Sequence, residues 1–139
     1  MKTLFTFIFF LASINLFSQN EFVLTSNFPE KLQAGKTYEV TETIQKPDIR
    51  SYAYYQRNFP SGITVNEVSS DEADFMFEDN VLSFTWYRLP KSNSITIKYN
   101  ITIAENTKGK YESKGDIVYI YYNNRGEFQM PVLKFSIEN

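Results

Sequence analysis

Between Ser94 and Ile103 the chain reads SITIKYNITI, an unbroken alternation. Ile95, Ile97, Tyr99, Ile101 and Ile103 share one phase, while Thr96, Lys98, Asn100 and Thr102 occupy the other. Successive side chains on a strand point to opposite faces. This segment therefore satisfies both a core and water only as a half-buried strand. Its register is also strongly specified, because a one-residue slip would turn every isoleucine to solvent.

The rest of the chain repeats that logic in shorter runs separated by turn chemistry. Phe22, Leu24 and Phe28 share a phase in EFVLTSNF, QAGK makes a turn, and Tyr38, Val40 and Ile44 share a phase in TYEVTETI. After QKPD comes IRSYAYYQRNF, closed by the Pro60–Gly62 turn, and then the short run ITVNEV. FMF and VLSFTWY flank EDN as a hairpin over Phe75–Tyr87, and LPKSN leads into the isoleucine stripe. The polar connection ENTKGKYESKG has room for a short strand around Tyr111. DIVYIYYN, an NRG turn and EFQMPVLKFSI complete the chain. Pro131 cannot donate to a ladder, so it marks an edge, a bulge or a crossing between sheets. Eight or nine strands at this spacing predict an all-β fold, an Ig-like antiparallel β-sandwich of about 8 strands. A small closed β-barrel is the alternative. There is no cysteine to form an immunoglobulin disulfide, so "Ig-like" describes architecture only.

The first residues are of a different kind. One lysine precedes an apolar run from Leu4 to Phe17, broken by Thr6, Ser13 and Asn15, with small and polar residues after it. This is the pattern of a secretory signal peptide, expected over residues 1–18 with cleavage after Ser18 or, alternatively, Gln19. The run is shorter than the ~20 apolar residues a spanning helix needs, and no later segment is apolar enough to span. Residues 19–139 are then expected to form a single domain, exported to the periplasm, the cell surface or the medium.

Absent residue types narrow the chemistry. Without cysteine there are no thiolate zinc sites and no cysteine nucleophile. Without histidine the commonest metal ligand and the usual general base near neutral pH are missing. The net charge of −2, with no long run of either sign, argues against a nucleic-acid footprint. No cofactor or metal is expected. The acidic segment Ser69–Asn80 supplies Asp71, Glu72, Asp74, Glu78 and Asp79 but lacks the order of a calcium loop. It reads as a solvated hairpin whose charges discourage edge-to-edge pairing.

Aromatic residues carry the remaining functional signal. In SYAYYQRNF, Tyr52 and Tyr54 share one phase and Tyr55 takes the other, so one set faces away from the core. In VLSFTWYRLP, Leu82, Phe84 and Trp86 lie on one side and Ser83, Thr85 and Tyr87 on the other. Trp86, the only tryptophan, is therefore expected in the core against the isoleucine stripe, leaving Arg88 free at the strand end. Tyr52, Tyr54 and Tyr87 are the candidate ligand-binding residues. In VYIYYN both phases are apolar or aromatic, which suggests a central strand or one covered by a partner.

From Val40 to Ile120 the pattern resembles the Ig-like conserved-repeat domains of bacterial cell-surface proteins. The matching pieces are FPSGI at Phe59–Ile63, LSFTWYRLP at Leu82–Pro90, ITIKYNITI at Ile95–Ile103, and Gly109 and Gly115 before DIVYI. The leader's LFSQ ending looks like those of Bacteroidota secreted proteins. The resemblance implies a sandwich exposed outside the cytoplasm with no enzymatic activity, and it transfers no functional residues. This chain departs from the pattern in its expected single domain and in lacking an asparagine-glycine strand opening. Together these readings predict a non-catalytic cell-envelope protein that binds or supports an envelope or surface protein. A small carbohydrate-binding module is the alternative.

Overall fold

The segment Ser94–Ile103 is a strand along its whole length, and its pairing partners set the architecture. The computed structural model describes residues 21–139. The expected signal peptide, residues 1–18, and its cleavage point lie outside the described residues. In chain order the strands are β1 (Val23–Ser26), β2 (Lys31–Gln33), β3 (Thr37–Gln45), β4 (Ala53–Asn58), β5 (Ile63–Ser69) and β6 (Asp74–Glu78). They continue as β7 (Val81–Trp86), β8 (Ser94–Ile103), β9 (Gly109–Ser113), β10 (Gly115–Tyr121), β11 (Asn124–Gln129) and β12 (Leu133–Glu138). Among the described residues no helix is long and apolar enough to cross a membrane.

β8 lies between β3 and β5 in a four-stranded sheet of order β1-β3-β8-β5. Its antiparallel register with β3 sets Val40 opposite Tyr99 and Ile44 opposite Ile95, so the apolar phases of both strands fall on one face. A five-stranded sheet of order β11-β10-β4-β7-β6 faces it. Between them lie Val40, Ile44, Ile95, Ile97, Tyr99 and Ile101 from one side and Ala53, Tyr55, Leu82, Phe84, Trp86 and Ile117 from the other, all buried. Each large apolar side chain removed from water in this way contributes about 1.5–3 kcal/mol. The architecture is a β-sandwich with no closed barrel.

Three chain segments leave the main sheets and build a third, β2-β12-β9. β9 and β10 are almost continuous, bending at Lys114, and β11 and β12 bend across Met130–Val132. The result is one long hairpin whose tip half belongs to the five-stranded sheet and whose base half belongs to the third. Pro131 thus marks a strand crossing between sheets. Gly115 sits in the bend because a Cβ there would lie 2.5 Å from the Met130 methyl and nearer still to the Gln56 carbonyl oxygen. Phe135, Ile137 and Leu32 are buried beneath the third sheet, and Phe28 bridges Phe59 and Phe135 at centroid distances of 6.0 and 5.1 Å.

These bends explain why the expected count of about 8 strands becomes twelve among the described residues. EFQMPVLKFSI, continuous in its alternation, is cut where the chain changes sheets, and Lys31–Gln33 is too short to register as a periodic run. The expected NRG turn is also displaced. Asn124, Arg125 and Gly126 already belong to β11, and the turn is Tyr122–Asn123, both at positive φ. Gly126 is in the ladder opposite Tyr119, whose ring occupies the space where a Cβ would stand.

Candidate functional site

The outer face of the five-stranded sheet collects the exposed aromatic residues. β4 pairs with β7 so that Tyr54 lies opposite Thr85 and Ala53 opposite Trp86. One step further along, Tyr52 and Tyr87 come side by side, their rings 6.4 Å apart at 62°, edge to face. Trp86 is buried at 1% exposure, and its indole N–H donates to the Asp71 carbonyl at 2.9 Å. Its neighbour Tyr87 is 74% exposed and Tyr52 39%. The expected split of the Trp-Tyr-Arg cluster across two faces is thus the observed one, with Arg88 exposed at the strand end.

Tyr54 shares the outer face but is half-buried, set between Thr85 on β7 and Val118 on β10. On β10 the Ile120 N–H donates to the Tyr52 carbonyl at 3.1 Å, so Ile120 continues the row that begins at Tyr87. Beyond it Arg125 lies opposite Ile120 on the edge strand β11. The face is therefore an apolar and aromatic stripe with charge at its borders: Asp74 and Glu78 on β6, Arg125 and Glu127 on β11. The Arg125–Glu127 pair, at 3.5 Å, is exposed. All three candidate tyrosines are on this face, and Tyr52 and Tyr87 are in contact.

Sequence reasoning overlooked a second cluster, inside the sandwich. Glu42 on β3 and Arg57 on β4 are both fully buried. The Tyr55 hydroxyl donates to Glu42 Oε1, and Arg57 Nε donates to the Tyr55 oxygen at 3.0 Å. Arg57 Nη2 lies 3.6 Å from Glu42 Oε2, an ion pair without hydrogen-bond geometry. The guanidinium also reaches the Ser113 carbonyl at 3.4 Å and the Met130 sulfur at 3.6 Å. Tyr99 enters from β8 with its hydroxyl buried and, among the described residues, without a hydrogen-bond partner.

The electrostatics follow from burial. Desolvation, reinforced by the Glu42 carboxylate, drives the Tyr55 phenol well above the usual tyrosine range. Burial, together with Tyr55 and Glu42, does the same for Tyr99. For Arg57 burial disfavours the charge, but the Tyr55, Glu42 and Tyr99 oxygens outweigh it and hold the guanidinium above its ordinary value. A charge cluster with no solvent exposure offers no route to a solute, so its role is in the fold. The missed signal was phase: Glu42 stands between Val40 and Ile44, and Arg57 follows Ala53 and Tyr55, all on inward positions.

An open hollow of about 600 Å³ lies at the opposite end of the molecule, on the third sheet, where Glu30, Lys31, Lys110, Glu112 and Lys134 surround Tyr111 and Phe135. It contains none of the candidate tyrosines. Among the described residues no three acidic side chains gather where they could hold a metal ion.

No family model and no curated protein matches this chain. Among solved structures it is similar to the crystal structure of a DUF4466 family protein from Parabacteroides merdae, one of the Bacteroidota. The identity is 11% and the TM-score 0.46, over 84% of this chain and 45% of that one. The chain thus spans less than half the length of that protein.

Proposed function

We propose that this chain is a non-catalytic binding or structural module of the cell envelope, periplasmic or secreted, acting by protein–protein contact. The outer face of the five-stranded sheet is the contact surface. The observation that carries the reading is the exposed Tyr87–Tyr52 pair, set in a row with Ile120 and beside Tyr54 and Val118. These rings add little to the core, and aromatic residues on an exposed apolar face are typical of the centres of protein interfaces. The apolar run Leu4–Phe17 supports export. An Ig-like relationship is supported by strand adjacency: β1-β3-β8-β5 facing β11-β10-β4 corresponds to the ABED and GFC sheets of that sandwich. The middle of the chain departs from it, since β5 precedes β6 and β7.

The carbohydrate reading would use the same tyrosines. Stacking on a sugar needs ring faces presented side by side, whereas Tyr52 and Tyr87 meet at 62°, a geometry that suits interdigitating side chains better. The test is capture from envelope extracts with the exported chain, run beside a glycan array. Recovery of a protein by the wild type, lost with Tyr52→Ala and Tyr87→Ala, is the expected result. Glycan binding with no protein recovered would overturn it, as would recovery unaffected by either substitution.

A further inference from the structure

Three sheets present six edge strands among the described residues, and β6 differs from the other five. β1 and β2 are only four and three residues long. β5 is interrupted by a bulge between Glu67 and Ser69, a device that blunts an edge. β9 and β11 carry both signs of charge, Lys110 with Glu112 and Arg125 with Glu127. β6 pairs with β7 in unbroken register over its whole length, and among the described residues no strand pairs with its other side.

The turn that follows β6 fixes which of its backbone groups are free. Asp79 and Asn80 have φ of +52° and +64°, the two-residue hairpin turn that closes Glu78 and Val81 as a hydrogen-bonded pair. Alternation along the ladder then directs the N–H and C=O groups of Asp74, Met76 and Glu78 to β7. Those of Phe75 and Phe77 point to the open edge, a template for another strand. Side chains alternate as well. Phe75 and Phe77 are half-buried against the core, whereas Asp74, Met76 and Glu78 are exposed on the outer face, Met76 at 56%.

Charge selects the occupant. Residues 58–87, which hold β5, β6 and β7, contain six acidic residues and no lysine or arginine. Asp74 and Glu78 flank Met76 about 13 Å apart along the strand, with Glu72 and Asp79 in the turns at either end. None of these four acids forms an ion pair among the described residues. Adjoining cations are placed elsewhere. Arg57 is buried, Lys98 is on the outer face of the four-stranded sheet opposite Ser69, and Arg88 follows β7 past Thr85, the last residue paired with β6. A second copy of β6 is a poor occupant. Laid antiparallel about Met76, it would set Asp74 against Glu78 twice, and like charges directly opposite destabilise a strand pair. A strand with basic residues at those two positions meets both carboxylates.

We propose that β6 accepts a strand from a basic partner protein, an extended segment of pattern basic-apolar-apolar-apolar-basic adding antiparallel to the open edge. Its backbone exchanges hydrogen bonds with Phe75 and Phe77, its basic residues face Asp74 and Glu78, and its apolar residues cover Phe75, Met76 and Phe77. In this mode main-chain bonds supply affinity and alternate side chains supply specificity. The edge is separate from the Tyr52–Tyr87 pair.

Fluorescence anisotropy of the exported chain with the labelled peptide TKVLVKT tests it, beside TEVLVET and a TKVLVKT methylated on both valine backbone nitrogens. Saturable binding of TKVLVKT that weakens with salt, and no binding of the methylated peptide, is expected. Binding should also slow amide hydrogen exchange at Phe75 and Phe77. The double reversal Asp74→Lys, Glu78→Lys should weaken TKVLVKT about tenfold and transfer the preference to TEVLVET, an outcome only a folded variant can give. Absence of saturable binding, equal binding of the methylated peptide, or indifference to the double reversal would overturn the proposal. So would loss of TKVLVKT binding with Tyr87→Ala, which would move the peptide to the aromatic face. Peptide binding that survives Tyr52→Ala and Tyr87→Ala, with envelope-protein capture also unaffected by them, would retain the edge and defeat the face.

Discussion

Replacing Arg57 with methionine deletes a buried cation while roughly preserving its length and apolar volume. The guanidinium makes one good hydrogen bond, to the Tyr55 oxygen at 3.0 Å, an ion pair to Glu42 Oε2 at 3.6 Å, and two longer contacts to Ser113 and Met130. What matters most is what remains. Glu42, on the opposite sheet, would be left in the core with only the Tyr55 hydroxyl as partner. Breaking a buried pair by removing one member costs about 3–5 kcal/mol, a large fraction of the roughly 5–15 kcal/mol that holds a domain folded.

Urea unfolding followed by the fluorescence of Trp86, the only tryptophan, reports the loss. On this reasoning the melting temperature falls by roughly 10–20 °C. The double variant Glu42→Leu, Arg57→Met should recover much of the stability, because it replaces both charges with apolar groups and leaves neither stranded. The pair therefore couples by about 2 kcal/mol or more in a double-mutant cycle. A cost below about 1 kcal/mol for Arg57→Met, or single effects that simply add, would refute the claim that Glu42 and Arg57 are an interdependent buried pair.

Alkali should act on the same cluster. Burial raises Tyr55 and Tyr99 above the ordinary tyrosine value of 10.0, so their contribution is complete below that value and is lost as pH rises towards their folded-state values. The loss can reach about 1.36 kcal/mol per pH unit for each group. Lys46, lowered by burial, acts oppositely just below 10.5, so the fall is read above that pH; a urea midpoint flat to about pH 12 would contradict it. Gly115→Ala should destabilise by about 1–3 kcal/mol, because its Cβ meets the Gln56 backbone as well as the flexible Met130 side chain. Gly126→Ala should cost less, since only the Tyr119 ring must move; the reverse order in urea titrations would show that the bend at Lys114 adjusts freely.

Alternation alone was enough to assign most of the sandwich core. The inward phase of β8, the burial of Trp86 beside Leu82 and Phe84, and the outward phase of Tyr52, Tyr54 and Tyr87 are all local properties, set by the two-residue period of an extended chain. Pro131 announced a break in the last run for an equally local reason, its missing N–H, although three outcomes were open. The displaced NRG turn shows the limit of turn chemistry. Gly126 is in the ladder because Tyr119 lies over it, a reason located on another strand.

Pairing across the chain decided the rest. Tyr52 meets Tyr87 only because β7 adds to β4 after the chain has crossed to the other sheet as β5 and returned as β6, an order that alternation does not encode. Glu42 and Arg57 are the clearest case. Each residue, read singly, belongs on a surface, and the phase of each strand puts it inside. The conflict resolves only when the two sheets face each other and carboxylate, phenol and guanidinium meet in the same small volume. Local periodicity sets which way a side chain points, whereas the desolvation and Coulomb energies that decide whether it can stay there depend on what the opposite sheet brings to meet it.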